Sequence, residues 1–250
     1  MKVGLTFVGI LLSANIVGRP INESATDVVR KAEENMRGSS SYSEMTMTIV
    51  KPTWSRSISM KAWSLRNDFG LVLITSPERD RGTVTLKRKT EVWNWLPSIE
   101  RVIKIPPSMM LQSWLGSDFT NDDLVKESSL VEDYTHTFSG DSTIAGRTCY
   151  RITMIPKENA AVVWGKLILY ITKEGYCELR SEMYDEEGTL SKVMTGDRIR
   201  TIGKRTLPTY WEMQPADAPG QKTILEYTLL RFDLPLSESF FSEQNMRRVR

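Results

Sequence analysis

Residues 167–199 read LILYITKEGYCELRSEMYDEEGTLSKVMTGDRI, three apolar-rich runs separated by two short polar connections. Leu167 to Thr172, Cys177 to Met183 and Leu190 to Ile199 have the length and composition of strands. Lys173-Glu174-Gly175-Tyr176 and Asp185-Glu186-Glu187-Gly188 join them. Connections this short link antiparallel neighbours, because a parallel pair needs a crossover of a dozen or more residues. The stretch predicts a β-meander.

The same pattern extends in both directions. On the C-terminal side, Leu207 to Met213 and Ile224 to Phe232 continue it. On the N-terminal side, Tyr134 to Phe138 and Cys149 to Ile155 precede it. Further upstream, Met45, Met47 and Ile49 alternate with polar neighbours, as do Ile58, Met60 and Ala62. Leu71 to Ile74, Val84 with Leu86, Val92 to Leu96 and Arg101 to Ile105 complete the strand candidates. Two segments break the period. Ala25, Val28, Val29, Ala32 and Met36 recur at helical spacing before Gly38, which predicts one amphipathic helix from Ser24 to Arg37. Between Pro106 and Val125, Met109, Met110 and Trp114 follow the potential cap Ser108, and Asp122-Asp123 opens a second turn, so two short helices are expected there. The fold class is mainly β (α+β). Without a Pro- or Gly-rich linker or a fixed-period repeat, residues 19–250 form a single domain.

The first residues set the compartment. Lys2 followed by the apolar run Val3 to Leu12 reads as a secretory signal peptide spanning residues 1–18, with cleavage between Ser13 and Arg19. The run is too short for a bilayer-spanning helix, which needs roughly 20 apolar residues. No cysteine lies near its end to carry an acyl anchor. A periplasmic location is the expectation. Cys149 and Cys177 fall in predicted neighbouring strands and would meet an oxidising environment; whether they pair is open at this level.

Chemistry is sparse. The charge is +2 with acids and bases interspersed, which gives no electrostatic case for a nucleic-acid partner. The one histidine, His136, sits in an alternating strand without a motif that would make it a base or a ligand. One histidine and two separated cysteines match no zinc spacing, and Asp122-Asp123 lacks the calcium-loop pattern, so neither metal nor cofactor is implied. No dinucleotide, Walker or nucleophile-elbow arrangement of glycines is present. Asp68, Asp118 and Asp197 read first as turn caps or solvated carboxylates. What stands out is seven tryptophans and twelve methionines, residue types that suit adaptable apolar cavities as well as ordinary cores. A large curved sheet with three short helices has an apolar face that the helices fill incompletely.

Three motifs carry a family resemblance: Trp93-Asn94-Trp95-Leu96-Pro97, Arg101-Val102-Ile103-Lys104-Ile105, and Gly116-Ser117-Asp118-Phe119-Thr120-Asn121-Asp122-Asp123-Leu124. They resemble the outer membrane lipoprotein-sorting protein family, of LolA/LolB-like fold. The resemblance spans nearly the whole mature chain. It implies an incomplete antiparallel β-barrel of about eleven strands, covered by the N-terminal helix and short inserted lid helices. It also implies a non-enzymatic periplasmic carrier that binds acyl chains of lipids or lipoproteins in a hydrophobic groove. The groove residues expected on this basis are Met60, Trp63, Trp93, Trp95, Leu169, Trp211 and Met213. The lid residues are Met109, Met110, Trp114, Asp118 and Phe119. No residue matches the lid-contacting arginine or the protruding receptor loop of the dedicated lipoprotein carriers, which leaves free lipid as an equal cargo. Partners implied are an inner-membrane exporter or an outer-membrane receptor. An adaptor of a resistance-nodulation-division type exporter without cargo, and a lipid hydrolase, are the alternatives.

Overall fold

The computed structural model describes residues 23–250 apart from 67, 111, 122, 124–129, 159 and 161. The expected signal peptide lies outside the described residues, as do Asp122 and Leu124 of the third motif. Among the described residues thirteen antiparallel strands form one sheet, each on a segment read as a strand candidate. The barrel therefore has thirteen strands where about eleven were expected.

The N-terminal half supplies β1 (Ser40–Lys51), β2 (Trp54–Leu65), β3 (Phe69–Ser76), β4 (Val84–Arg88), β5 (Glu91–Leu96) and β6 (Arg101–Lys104). The C-terminal half supplies β7 (Tyr134–Ile144), β8 (Arg147–Pro156), β9 (Lys166–Thr172), β10 (Glu178–Tyr184), β11 (Leu190–Ile202), β12 (Arg205–Pro215) and β13 (Lys222–Phe232). The sheet order is β6-β5-β4-β3-β2-β1-β13-β12-β11-β10-β9-β8-β7. Two meanders are thus spliced along β1 and β13, whose register runs from Ser41↔Phe232 to Val50↔Lys222 with a bulge at Glu44/Met45. The curled sheet does not close, since β6 and β7 are its two ends. The connection from β6 to β7 runs between these free edges, and it carries the predicted lid.

Helix α1 (Ala25–Arg37) forms where the 3.6-residue period predicted it. Ser24 caps it by accepting from the Asp27 N–H, and Gly38 at φ 64° ends it with its own N–H on the Glu34 carbonyl. Its buried stripe, Ala25, Val28, Val29 and Ala32, packs on Ile152, Met154, Leu167, Leu169 and Ile171 of the inner face. A short helix α2 (Leu130–Asp133) leads into β7.

The outer face is also covered. Phe69, Leu71, Leu73, Val84 and Leu86 cluster with Phe241, Met246 and Val249 of the C-terminal segment, which includes helix α3 (Glu243–Met246) capped by Ser242. Burial on two sides explains why β3 and β9 read as near-continuous apolar runs.

Cys149 and Cys177 are both free and buried, in one outer-face cluster with Ile168, Tyr170 and Leu179. They are not on neighbouring strands. Cys149 of β8 pairs with Thr172 of β9, and the Thr172 N–H in turn bonds to the Cys177 carbonyl. Two strand spacings, roughly 9.5 Å, exceed the reach of a disulfide. Burial pushes the Cys177 thiol up to about 12 and raises that of Cys149, so both are unreactive.

Candidate functional site

Between α1 and the β6–β7 connection the inner face leaves a cavity of about 400 Å³. Met45 and Met60 border it from β1 and β2, Leu169 from β9, Trp211 and Met213 from β12, and Leu225 from β13. All lie on the same face because strand side chains alternate and the register keeps them in line: Met45 faces Met60, and Trp211 faces Leu225. Gly196 of β11 lies beneath Trp211. A Cβ there would meet Pro208 at 2.7 Å and the Trp211 ring at 3.0 Å, so this position admits only hydrogen if the indole is to lie flat against the strand.

Four of the expected groove residues, Met60, Leu169, Trp211 and Met213, border this cavity. Trp63 also borders it, but its ring packs on the other side, between Tyr42 and Phe240 at centroid distances of 5.2 and 5.7 Å. Trp93 and Trp95 do not reach it. They belong to the outer cluster under the C-terminal segment, where Arg247 lies 5.2 Å from the Trp95 ring. Strand β5 forms where it was expected, with the face opposite to the tryptophans turned inward: Val92 and Asn94 point inward, with Asn94 hydrogen-bonded to inward-facing Thr85.

The covering segment differs from the first of the two helices expected; the second, expected to open at Asp122-Asp123, lies mostly outside the described residues, with Asn121 and Asp123 helical. Pro107–Met109 and Trp114–Gly116 are single 3-10 turns, the latter broken by Leu115 at φ 54°. Ser113 and Thr120 form a β-bridge that folds the segment into a narrow loop. Thr120 and Asp123 then cap each other, the Thr120 N–H on the Asp123 carboxylate and the Asp123 N–H on the Thr120 hydroxyl. Ser108 lies inside the first turn and does not cap it.

Of the expected lid residues, Trp114 is buried on Met47, Ile49, Ile58, Met60 and Ile74, and both it and Phe119 border the cavity. Met110 packs on Val92 and Ile105, and Met109 is exposed. Asp118 does not touch the cavity. Its carboxylate accepts from Lys51 Nζ at 2.9 Å and from the Thr223 hydroxyl at 2.7 Å, while Lys192 Nζ donates to its carbonyl at 2.6 Å. It anchors the loop across β1, β11 and β13. Arg56 adds a bond to the Leu115 carbonyl at 2.8 Å. Lys51, Arg56, Lys192 and Thr223 had no signal in the sequence, because each meets the loop across 59 to 105 residues of chain.

His136 is structural. The Leu130 carbonyl can only accept, so Nε2 carries the proton and donates to it at 2.9 Å; Nδ1 then accepts from the Thr26 hydroxyl at 3.1 Å. Burial lowers its pKa, favouring the neutral ring. Both nitrogens are engaged in tying α1, α2 and β7 together.

A family model described as "Uncharacterized protein" matches residues 66–248, well over half of the chain. The chain belongs to that family, and its fold is LolA-like. A DUF1329 family protein from Desulfovibrio piger superimposes with a TM-score of 0.81 at 22% identity, over 89% of this chain and 97% of its own. An outer membrane lipoprotein-sorting protein domain from Vibrio parahaemolyticus gives 0.79 at 24%, over 90% and 98%. A LolA superfamily protein from Nitrosomonas europaea gives 0.75 at 20%, over 89% and 99%. No curated protein sequence matches the chain. The resemblance to the outer membrane lipoprotein-sorting proteins thus holds at the level of fold. Among the described residues, no helix is long and apolar enough to cross a membrane.

Proposed function

We propose that this LolA-like protein is a periplasmic carrier that holds the acyl part of a lipid or lipoprotein in its inner cavity and moves it toward the outer membrane. The observation that supports this most is the cavity itself. About 400 Å³ remains between α1 and the Trp114 loop, bordered mainly by methionine, leucine, valine and tryptophan. That is within the range of sites for small apolar ligands, roughly 300–1,000 Å³. Each methylene moved from water into it contributes about 0.8 kcal/mol. Unbranched, polarisable methionines at Met45, Met60, Met183, Met194 and Met213 suit a chain whose conformation varies. Binding of this kind needs no reactive group, and the protein acts without altering its cargo. One domain, residues 19–250, follows the signal peptide.

The test is native mass spectrometry of protein purified from the periplasm, with solvent extraction and identification of what is released. The expected result is a bound species carrying one or more acyl chains. Protein that arrives empty and also fails to take up a fluorescent fatty acid would remove the carrier reading in favour of an exporter adaptor.

A further inference from the structure

The inner face of β1–β4 is graded along the barrel axis. Cross-strand register places Ser41, Ser64, Gly70 and Lys87 in one row at one end. The next row is Ser43, Ala62, Val72 and Thr85. Then come Met45, Met60 and Ile74, and after them Met47 and Ile58, capped by Trp114. The rows pass from hydroxyl and ammonium groups to thioether and hydrocarbon within one continuous cavity, which both polar rows border.

Lys87 is the centre of the polar end. It is buried to 9% exposure and turned inward from β4. A Cβ on Gly70 would lie 3.6 Å from Lys87 Cβ and 4.0 Å from its Cδ, so the lysine stem runs over Gly70. The hydroxyls of Ser64 and Ser41 are themselves linked at 2.7 Å. Helix α1 brings Glu33 and Arg37 to the same cavity. Arg66 borders this end with its guanidinium ion-paired to Glu238. Glu178 and Asp123 border the cavity from β10 and from the Trp114 loop.

Resting on the carrier reading, we propose that the cargo is an acidic amphiphile, an acyl lipid with a carboxylate or phosphate head. The head is held at the Lys87–Ser64–Ser41 row, and the hydrocarbon runs toward Met45, Met60 and Trp114. A hydrogen bond between an ammonium and an anion away from water is among the stronger polar contacts available, and the linked Ser41–Ser64 pair leaves one O–H to donate to a remaining oxygen.

The experiment compares the affinities of delipidated full-length protein for oleic acid, lysophosphatidic acid and methyl oleate, in wild type, Lys87→Met and Lys87→Arg. Wild type is expected to bind one acid at least about tenfold more tightly than methyl oleate, the smallest ratio expected from one hydrogen bond to a charged group. Which acid is preferred identifies the head as carboxylate or phosphate. Lys87→Met should bring the ratio of acid to ester affinity near one, and Lys87→Arg should retain most of it. The wild-type ratio stands as a test even if a variant folds poorly. Equal affinity of wild type for the ester and both acids, or an undiminished preference in Lys87→Met, overturns the head-group assignment and leaves the carrier reading standing. Failure to bind any of the three overturns both.

Discussion

Asp118 carries much of the connection between the Trp114 loop and the barrel. Its side chain is 6% exposed and is shared between Lys51 and Thr223. Asp118→Ala would leave the Lys51 ammonium with Gln221 as its remaining partner. The expected loss is about 2–3 kcal/mol, at or below the low end for breaking a buried pair because Lys51 keeps some solvent contact. Urea denaturation measures the loss. Cargo should also dissociate faster, and an unchanged release rate would show that the loop does not retain it. His136 gives a pH prediction. Burial depresses its folded pKa below the ordinary value of 6.5, so as pH falls the unfolded chain takes up a proton before the folded chain does. The stability it contributes is present above about pH 6.5 and is lost progressively below it. His136→Gln should flatten this part of the stability profile measured by urea midpoints between about pH 7 and pH 5. A variant that keeps the wild-type slope would assign the effect to another group.

The C-terminal segment and the inner-face elements act on opposite sides of the same strands. Phe241 is fully buried against Phe69, with ring centroids 5.7 Å apart, on the side away from the cavity. Phe241→Ala should therefore cost about 3–4 kcal/mol of stability and leave the cargo affinity of the folded protein unchanged. A matching loss of affinity in titrations would mean that the two faces are coupled through β3 and β4. This two-sidedness also marks where the sequence stopped being readable. Alternation and short apolar runs located the strands, and the 3.6-residue period with Ser24 and Gly38 located α1 almost to the residue. Facing could be read only where one side is polar. In β12, Leu207, Trp211 and Met213 alternate with Pro208, Tyr210 and Glu212, and the apolar set points inward. In β5 the larger pair, Trp93 and Trp95, points outward because a segment more than 140 residues later covers it. The Trp114 loop was legible as an interruption and as a motif, but not as a conformation. Its shape is set by Lys51, Arg56, Lys192 and Thr223, contacts too distant in sequence for local spacing to carry.

At the scale of the whole molecule, the open barrel is held by its middle. β1 and β13 are hydrogen-bonded on both sides and join the two meanders, whereas β6 is a four-residue edge strand with Arg101 and Lys104 at its ends. Charged, short edges resist pairing with other chains, and they also open most readily. Hydrogen exchange should therefore be slowest in β1 and β13, where opening requires separating the two halves, and fastest among the strands in β6. Cargo that occupies the inner cavity adds contacts to Trp114, Phe119 and the last turn of α1, all of which border it. Saturation with a bound lipid should thus slow exchange at Ser113–Thr120 and around Met36, with little change at Phe240–Val249 on the outer face. Protection that rises instead over the C-terminal segment would place the ligand outside the barrel. Uniform protection of every strand would indicate global stabilisation without a defined seat.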